Sequence, residues 1–214
     1  MHRDSEYYSA IDDYQDPAVP ESYEALRYSG VLGRYRWSAE QKAVCRSLTS
    51  LGRLSSALDV PTGIGRWQQH LRSVCPNVHS ADISFAMLQS AQARGLLENW
   101  NSPSVIARVE ELPYRDRTFE LVFCHALTKH LPSQAQERAL LELMRVSSRF
   151  VVCSFPLYRG YRALLWDLRR STHGTPVTTR QLKLWAANGG FRLSGYEPCT
   201  TQLGLEVVTK FERM

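Results

Sequence analysis

A few residues in this chain have the type and spacing to do chemistry. The stretch ALDVPTGIGRW, residues 57–67, sets an acid, Asp59, shortly before Gly63 and Gly65. The run before Asp59 reads as strand and the run from Arg66 as helix, so the glycines fall in a loop between them. Glycine accepts positive φ and lets backbone pass close to a ligand. A helix starting behind such a loop turns free N–H groups and a positive dipole end toward an anionic group. A second acid, Asp82 in SADIS, closes the next apolar run, where a carboxylate can hold ribose hydroxyls. Further on, Cys124 and His125 close the run FELVFCHA, and His125 is a candidate general base. A dinucleotide fingerprint, G-x-G-x-x-G, fails here, because Gln68 stands at the third glycine and bulky Arg66 and Trp67 precede it.

Positioning these groups requires a particular layout. SALDV, VHSADI, SVIARV, FELVFCHA and RFVVCSF read as short apolar strands that do not alternate, as strands buried on both faces do. Helix patterns separate them: RWQQHLRSV, then FAMLQSAQA capped by Ser84, then SQAQERALLELMRV capped by Ser133. Ahead of them, WSAEQKAVCRSLTSL carries a capping-box pattern at Ser38 and Gln41. Strand and helix in alternation predict right-handed parallel units. After a helix over TTRQLKLWAANGGF, the segments FRLSGYEP and LGLEVVTK predict a closing hairpin. The fold class is therefore α/β: a Rossmann-like, doubly wound, mostly parallel sheet with a C-terminal antiparallel hairpin and helices on both faces. Residues 1–37 are expected to form an arm and cover, and 38–214 the main domain. A lid-like insertion at about 156–175 carries Tyr158, Tyr161 and Trp166, which can serve either as core contacts of an extra helix or as a cover over substrate.

Composition narrows the field. The 214 residues are 43% hydrophobic and 22% charged, ordinary values for a globular protein. No apolar run is long enough to span a bilayer and the polar start is no signal peptide, so a cytoplasmic protein is expected. Five cysteines, none in a C-x-x-C pair, argue against a zinc site or disulfide framework; no metal is expected. The net charge of +5 is scattered, which argues for a solvated basic surface and against a nucleic-acid footprint.

On these residues the sequence resembles the class I S-adenosylmethionine-dependent methyltransferases, in the small-molecule group that includes ubiquinone and menaquinone methyltransferases. The family's acid-x-G-x-G-x-G motif maps onto Asp59 through Gly65, with Pro61 in place of the first glycine. Its ribose acid maps onto Asp82, with Ile83 beside it. VEELPYRDRTFELVFCHALTKHLP is similar to its acid-rich stretch and fourth strand, and LLELMRVSSRFVVCSF to its Glu-x-x-Arg-Val helix and fifth strand. The resemblance implies S-adenosylmethionine as cofactor, held by Asp59, Gly63, Gly65, Asp82 and Ile83. Val109 and Glu110 stand for the adenine rim, where Arg108 replaces a common acid. Cys124 and His125 are implied to face cofactor or substrate, and Arg36 to reach the cofactor carboxylate. The implied activity is methyl transfer to a small-molecule oxygen, nitrogen or carbon. Basic and aromatic residues in 20–37 and 156–175 suggest an acidic or aromatic acceptor. The alternative is a non-catalytic relative that keeps the fold as a cofactor-binding or partner protein. The sequence specifies no oligomeric state.

Overall fold

The fold is given by a computed structural model, described over residues 29–97, 103–158, 176–199 and 206–214. Residues 1–28 of the expected arm, and Tyr161 and Trp166 of the expected lid, lie outside the described residues. The strands are β1 (Ser56–Asp59), β2 (Asn77–Asp82), β3 (Ser104–Ile106), β4 (Phe119–Cys124), β5 (Ser147–Pro156), β6 (Phe191–Pro198) and β7 (Glu206–Arg213). The helices are α1 (Gly30–Thr49), α2 (Gln68–Arg72), α3 (Phe85–Ala93), α4 (Ser133–Val146) and α5 (Thr179–Asn188).

All seven strands join one sheet in the order β3-β2-β1-β4-β5-β7-β6. The first five are parallel, and β7 enters antiparallel between β5 and β6. This is the doubly wound sheet with a closing hairpin that the sequence predicts. The order reverses between β1 and β4, and that switch point opens a crevice beyond their carboxyl ends.

Strand residues alternate between two cores. Ala57, Leu121, Phe123 and Val152 face Ala43, Val44 and Leu48 of α1 and Leu71 of α2. Leu58, Val122, Cys124, Val151 and Cys153 face the other way, against Leu140, Leu143 and Met144 of α4 and Leu182 and Trp185 of α5. Covering both faces explains why the strands read as unbroken apolar runs. Truncating a fully buried side chain such as Leu58 to alanine costs about 2–5 kcal/mol.

Two expected helix starts are corrected. The first helix begins at Gly30, and Ser38 lies inside it without a capping role. A cap needs the preceding chain to leave the helix, but here the helix continues back through Trp37, whose ring packs 5.1 Å from that of Trp67. Pro132, in extended conformation, is the N-cap of α4, and Ser133 is its first helical residue. Ser84 does cap α3, accepting the Met87 N–H at 3.2 Å. Thr178 and Gln181 form a full capping box on α5. The expected strand over SVIARV stops at Ile106. Among the described residues no helix is long and apolar enough to cross a membrane.

Candidate functional site

A mostly apolar pocket opens at the switch point. Its floor is the loop after β1. Pro61, Thr62, Gly63 and Ile64 line it, and the Val60–Pro61 peptide is cis. Thr62 stitches this loop to β2: its hydroxyl donates to the Asp59 carbonyl at 2.8 Å and accepts the Ala81 N–H at 3.1 Å. Gly63 and Gly65 both hold positive φ, 56° and 81°. The two glycines do different work. Among the described residues a Cβ on Gly63 would meet nothing within 4 Å, leaving space on the pocket side, whereas one on Gly65 would lie 3.0 Å from Leu96 Cβ and 3.2 Å from Ala91 Cβ. Gly65 therefore allows the loop to seat against the end of α3.

Asp82 ends β2 and joins the pocket wall, only 5% exposed. One carboxylate oxygen accepts the Gly63 N–H at 2.7 Å and the other accepts the Ser84 N–H at 2.9 Å. Burial pushes its pKa up to about 6, against the backbone hydrogen bonds from Ser84, Gly63 and Ile83 that hold it down. Asp59 is fully buried beneath the loop. On β1 it shares the face of Ala57, the face covered by α2, and so meets the first residue of that helix. Gln68 Nε2 donates to Asp59 Oδ2 at 2.7 Å and to Ser80 Oγ at 3.1 Å. Asp59 Oδ1 and Gln68 Oε1 are buried with no hydrogen-bond partner among the described residues. Burial pushes the Asp59 carboxyl up to about 8; the Gln68 hydrogen bond opposes this and the nearby Asp82 charge adds to it. Asp59 is thus mostly a neutral acid at pH 7.

The opposite wall follows β4. His125 is 5% exposed and lines the pocket, with Leu127 and His130 beyond it. Its ring stacks on Phe123 (centroids 6.1 Å apart, 8° between planes) and lies 4.9 Å from the ring of Trp67. Period-two geometry decides this arrangement. Phe123 and His125 share one face of the strand and reach Trp67, while Cys124 takes the other face, into the core beside Cys153. Between His125 and Leu127, Ala126 holds φ 65°. For an L-residue other than glycine that costs about 1–2 kcal/mol.

The third wall is the segment after β3, with Ala107, Arg108, Val109 and Glu110 on the pocket. A clamp from α4 fixes it. Arg145 donates to the carbonyls of Tyr114 at 2.9 Å and Leu112 at 3.1 Å, and bonds Glu142 and Asp116. Glu142 in turn accepts the Leu112 N–H at 2.7 Å. The helix expected to carry Glu-x-x-Arg-Val therefore serves as the fastening of this wall.

Of the residues expected at the site, Gly63, Asp82, Ile83, Val109, Glu110 and His125 come together on one pocket. Asp59, Gly65 and Cys124 stand behind its wall, for the reasons of strand face and packing just given. Arg36 is exposed on α1 and does not line the pocket. Sequence reasoning missed Trp67, which both lines the pocket and packs on Trp37 and His125. The signal was its place directly behind the glycine loop. His130 closes a 3-10 turn (Thr128–His130) and also lines the pocket.

Residues 57–149 match a family model described as a methyltransferase domain. No curated protein matches the chain. Among solved structures, the chain is similar to magnesium protoporphyrin IX methyltransferase from Synechocystis PCC 6803 with bound SAH. The TM-score is 0.78 at 16% identity, covering 97% of this chain and 100% of that one. It is also similar to the N-methyltransferase NodS from Bradyrhizobium japonicum WM9 in complex with S-adenosyl-L-homocysteine. There the TM-score is 0.65 at 14% identity, covering 86% and 89% of the two chains. At such identities the likeness establishes the fold, a Rossmann-like methyltransferase fold.

Proposed function

We propose that this chain, with a methyltransferase domain at 57–149 inside a methyltransferase fold, binds S-adenosylmethionine and transfers its methyl group to a small-molecule acceptor. The observation that carries the reading is the convergence of Gly63, Asp82, Val109 and His125 on one pocket at the sheet's switch point. Asp82 and Ile83 would hold the ribose, Val109 and Glu110 the adenine rim, and the Gly63 loop the methionine end. The fit rests on a buried carboxylate at the end of β2 and on a glycine whose Cβ direction is open. When bound, the cofactor supplies a methyl group already activated on a sulfonium.

The chain's own work is then to align and to exclude water. Trp67, His125 and Leu127 form an apolar wall on the side left free by the ribose and adenine contacts. His125 packs there on two aromatic rings, and it can take a proton from a protonated acceptor. The apolar lining with Arg66 and two histidines suits an acidic or aromatic acceptor.

Isothermal titration with S-adenosylhomocysteine tests the core of this reading. Wild type should bind, and Asp82→Ala should weaken binding by about a hundredfold, near 2.7 kcal/mol, by losing ribose contacts and the Gly63 anchor. No binding by wild type, or equal affinity in the variant, overturns it. Turnover of S-adenosylmethionine with a panel of phenols, quinones and amines separates an enzyme from a cofactor-binding relative without activity.

A further inference from the structure

We propose that Ser154 and Glu206 are positioning residues, which hold the strained turn after β4 and so present His125 to the pocket. The methyltransferase reading is needed here only to say what the pocket holds.

The turn must place Ala126 in the left-handed region without a glycine to make it easy. A conformation of that kind persists where its surroundings over-determine it. Ser154, near the end of β5 and 1% exposed, does so from a distance in sequence. Its Oγ accepts the Ala126 N–H at 2.8 Å, and its carbonyl accepts the Thr128 hydroxyl. The Ser154 hydroxyl donates its own proton to Glu206 Oε1 at 3.2 Å, which leaves an oxygen lone pair for Ala126. Glu206 Oε2 meets Lys129 Nζ at 3.3 Å, and Gln136 Nε2 donates to the Thr128 carbonyl at 2.9 Å. Positions 126, 128 and 129 are therefore each tied to β5 or to the start of β7. His125 is the residue just before this fastened segment. The path the chain takes directly after it bears on how its ring lies against Phe123 and Trp67.

Nuclear magnetic resonance of the His125 ring protons, assigned by their loss in His125→Gln, reads the position directly. Stacking on Phe123 and nearness to Trp67 displace those resonances by ring current. In Ser154→Ala they should move toward the positions of free histidine, and in Ser154→Thr, which keeps a hydroxyl, they should stay. Adding Ala126→Gly to Ser154→Ala should bring them back, because glycine takes positive φ without the hydroxyl's help. Affinity for S-adenosylhomocysteine should change by less than about threefold in Ser154→Ala, since Asp82 and the Gly63 loop are untouched. Glu206→Ala should displace the resonances in the same direction, and it carries the test if Ser154→Ala does not fold. Unmoved His125 resonances in either alanine variant overturn the proposal. So does a displacement that Ala126→Gly fails to reverse, because strain at 126 is then not what Ser154 opposes. Failure of wild type to bind S-adenosylhomocysteine, with the resonance pattern as expected, overturns the methyltransferase reading and leaves this one standing.

Discussion

Two turns face each other across the pocket, and they are built by opposite means. The loop after β1 rounds its corner with Gly63 and Gly65 at positive φ and is held by groups close in sequence, Thr62 and Gln68, together with Asp82 on the neighbouring strand. The turn after β4 rounds its corner on Ala126 and is held by Ser154 and Glu206 from β5 and β7. The first turn carries its conformation in its own residue types. The second borrows it from strands laid down later in the chain. The first turn also lies against two buried acids at the ends of β1 and β2, while the second presents a histidine packed on aromatic rings.

The acids set the largest expected effect. With a folded pKa near 8 against an unfolded value near 3.8, Asp59 favours the native state while it is protonated. Between those values the native state holds one more proton than the unfolded chain. Stability is therefore full below about pH 4 and falls as pH rises through 8, at up to about 1.4 kcal/mol per pH unit from this group. Asp59→Asn should remove that dependence and be more stable than wild type by a few kcal/mol above pH 8. The neutral amide can donate to Gln68 Oε1, which has no partner among the described residues, once the Gln68 amide turns over. Urea unfolding of both proteins at pH 5 and pH 9 measures the difference. Parallel curves at the two pH values would show that Asp59 is ionised in the folded protein and that the loop is not built on a neutral acid.

Next in size is a contrast inside the glycine loop. Gly65→Ala meets both a positive φ and contacts at 3.0 and 3.2 Å with Leu96 and Ala91, so it should cost about 2–4 kcal/mol. Gly63→Ala meets positive φ alone and should cost about 1 kcal/mol. Denaturant midpoints at constant slope read both. Equal losses would remove the packing role assigned to Gly65.

A smaller effect concerns ligand affinity. Asp82 titrates near 6, and a ribose hydroxyl donates best to its ionised form. Affinity for S-adenosylhomocysteine should be level above pH 7 and fall up to tenfold per pH unit below 6. A flat profile in calorimetric titrations from pH 5 to 8 would take Asp82 out of the ligand contact.

These contrasts explain what the sequence could and could not say. The alternation of strand and helix, the hairpin and the helix faces were legible because buried parallel strands and amphipathic helices leave local patterns, as at FELVFCHA and around Leu140 and Met144. The place of Asp82 and Gly63 on the pocket was legible because an acid at a strand end and a glycine in a loop point to the mouth of the sheet. Asp59 was read as a ligand contact because spacing alone does not tell which face of β1 it takes. Cys124 and His125 differ by one residue and lie on opposite faces, and only the partner Trp67 shows which side is the pocket. Ser154 left no local trace, since its partners lie 28 and 52 residues away along the chain.

The smallest expected effect bears most directly on the opening contrast. Ala126→Gly relieves a left-handed alanine, a gain of about 1–2 kcal/mol, but gives the unfolded chain about 0.5–1 kcal/mol of extra freedom. Net stability should change by about 1 kcal/mol or less, on the stabilising side. Gly63→Ala reverses the same chemistry on the other wall and should lose about as much. Thermal unfolding of the two single variants and of the double variant measures this pair, and the sites share no hydrogen-bond partner, so their effects should add. A clear loss of stability in Ala126→Gly would mean that the alanine methyl itself packs usefully. The turn after β4 would then be held by contact as well as by Ser154, and the difference between the two turns would narrow to where their hydrogen bonds come from.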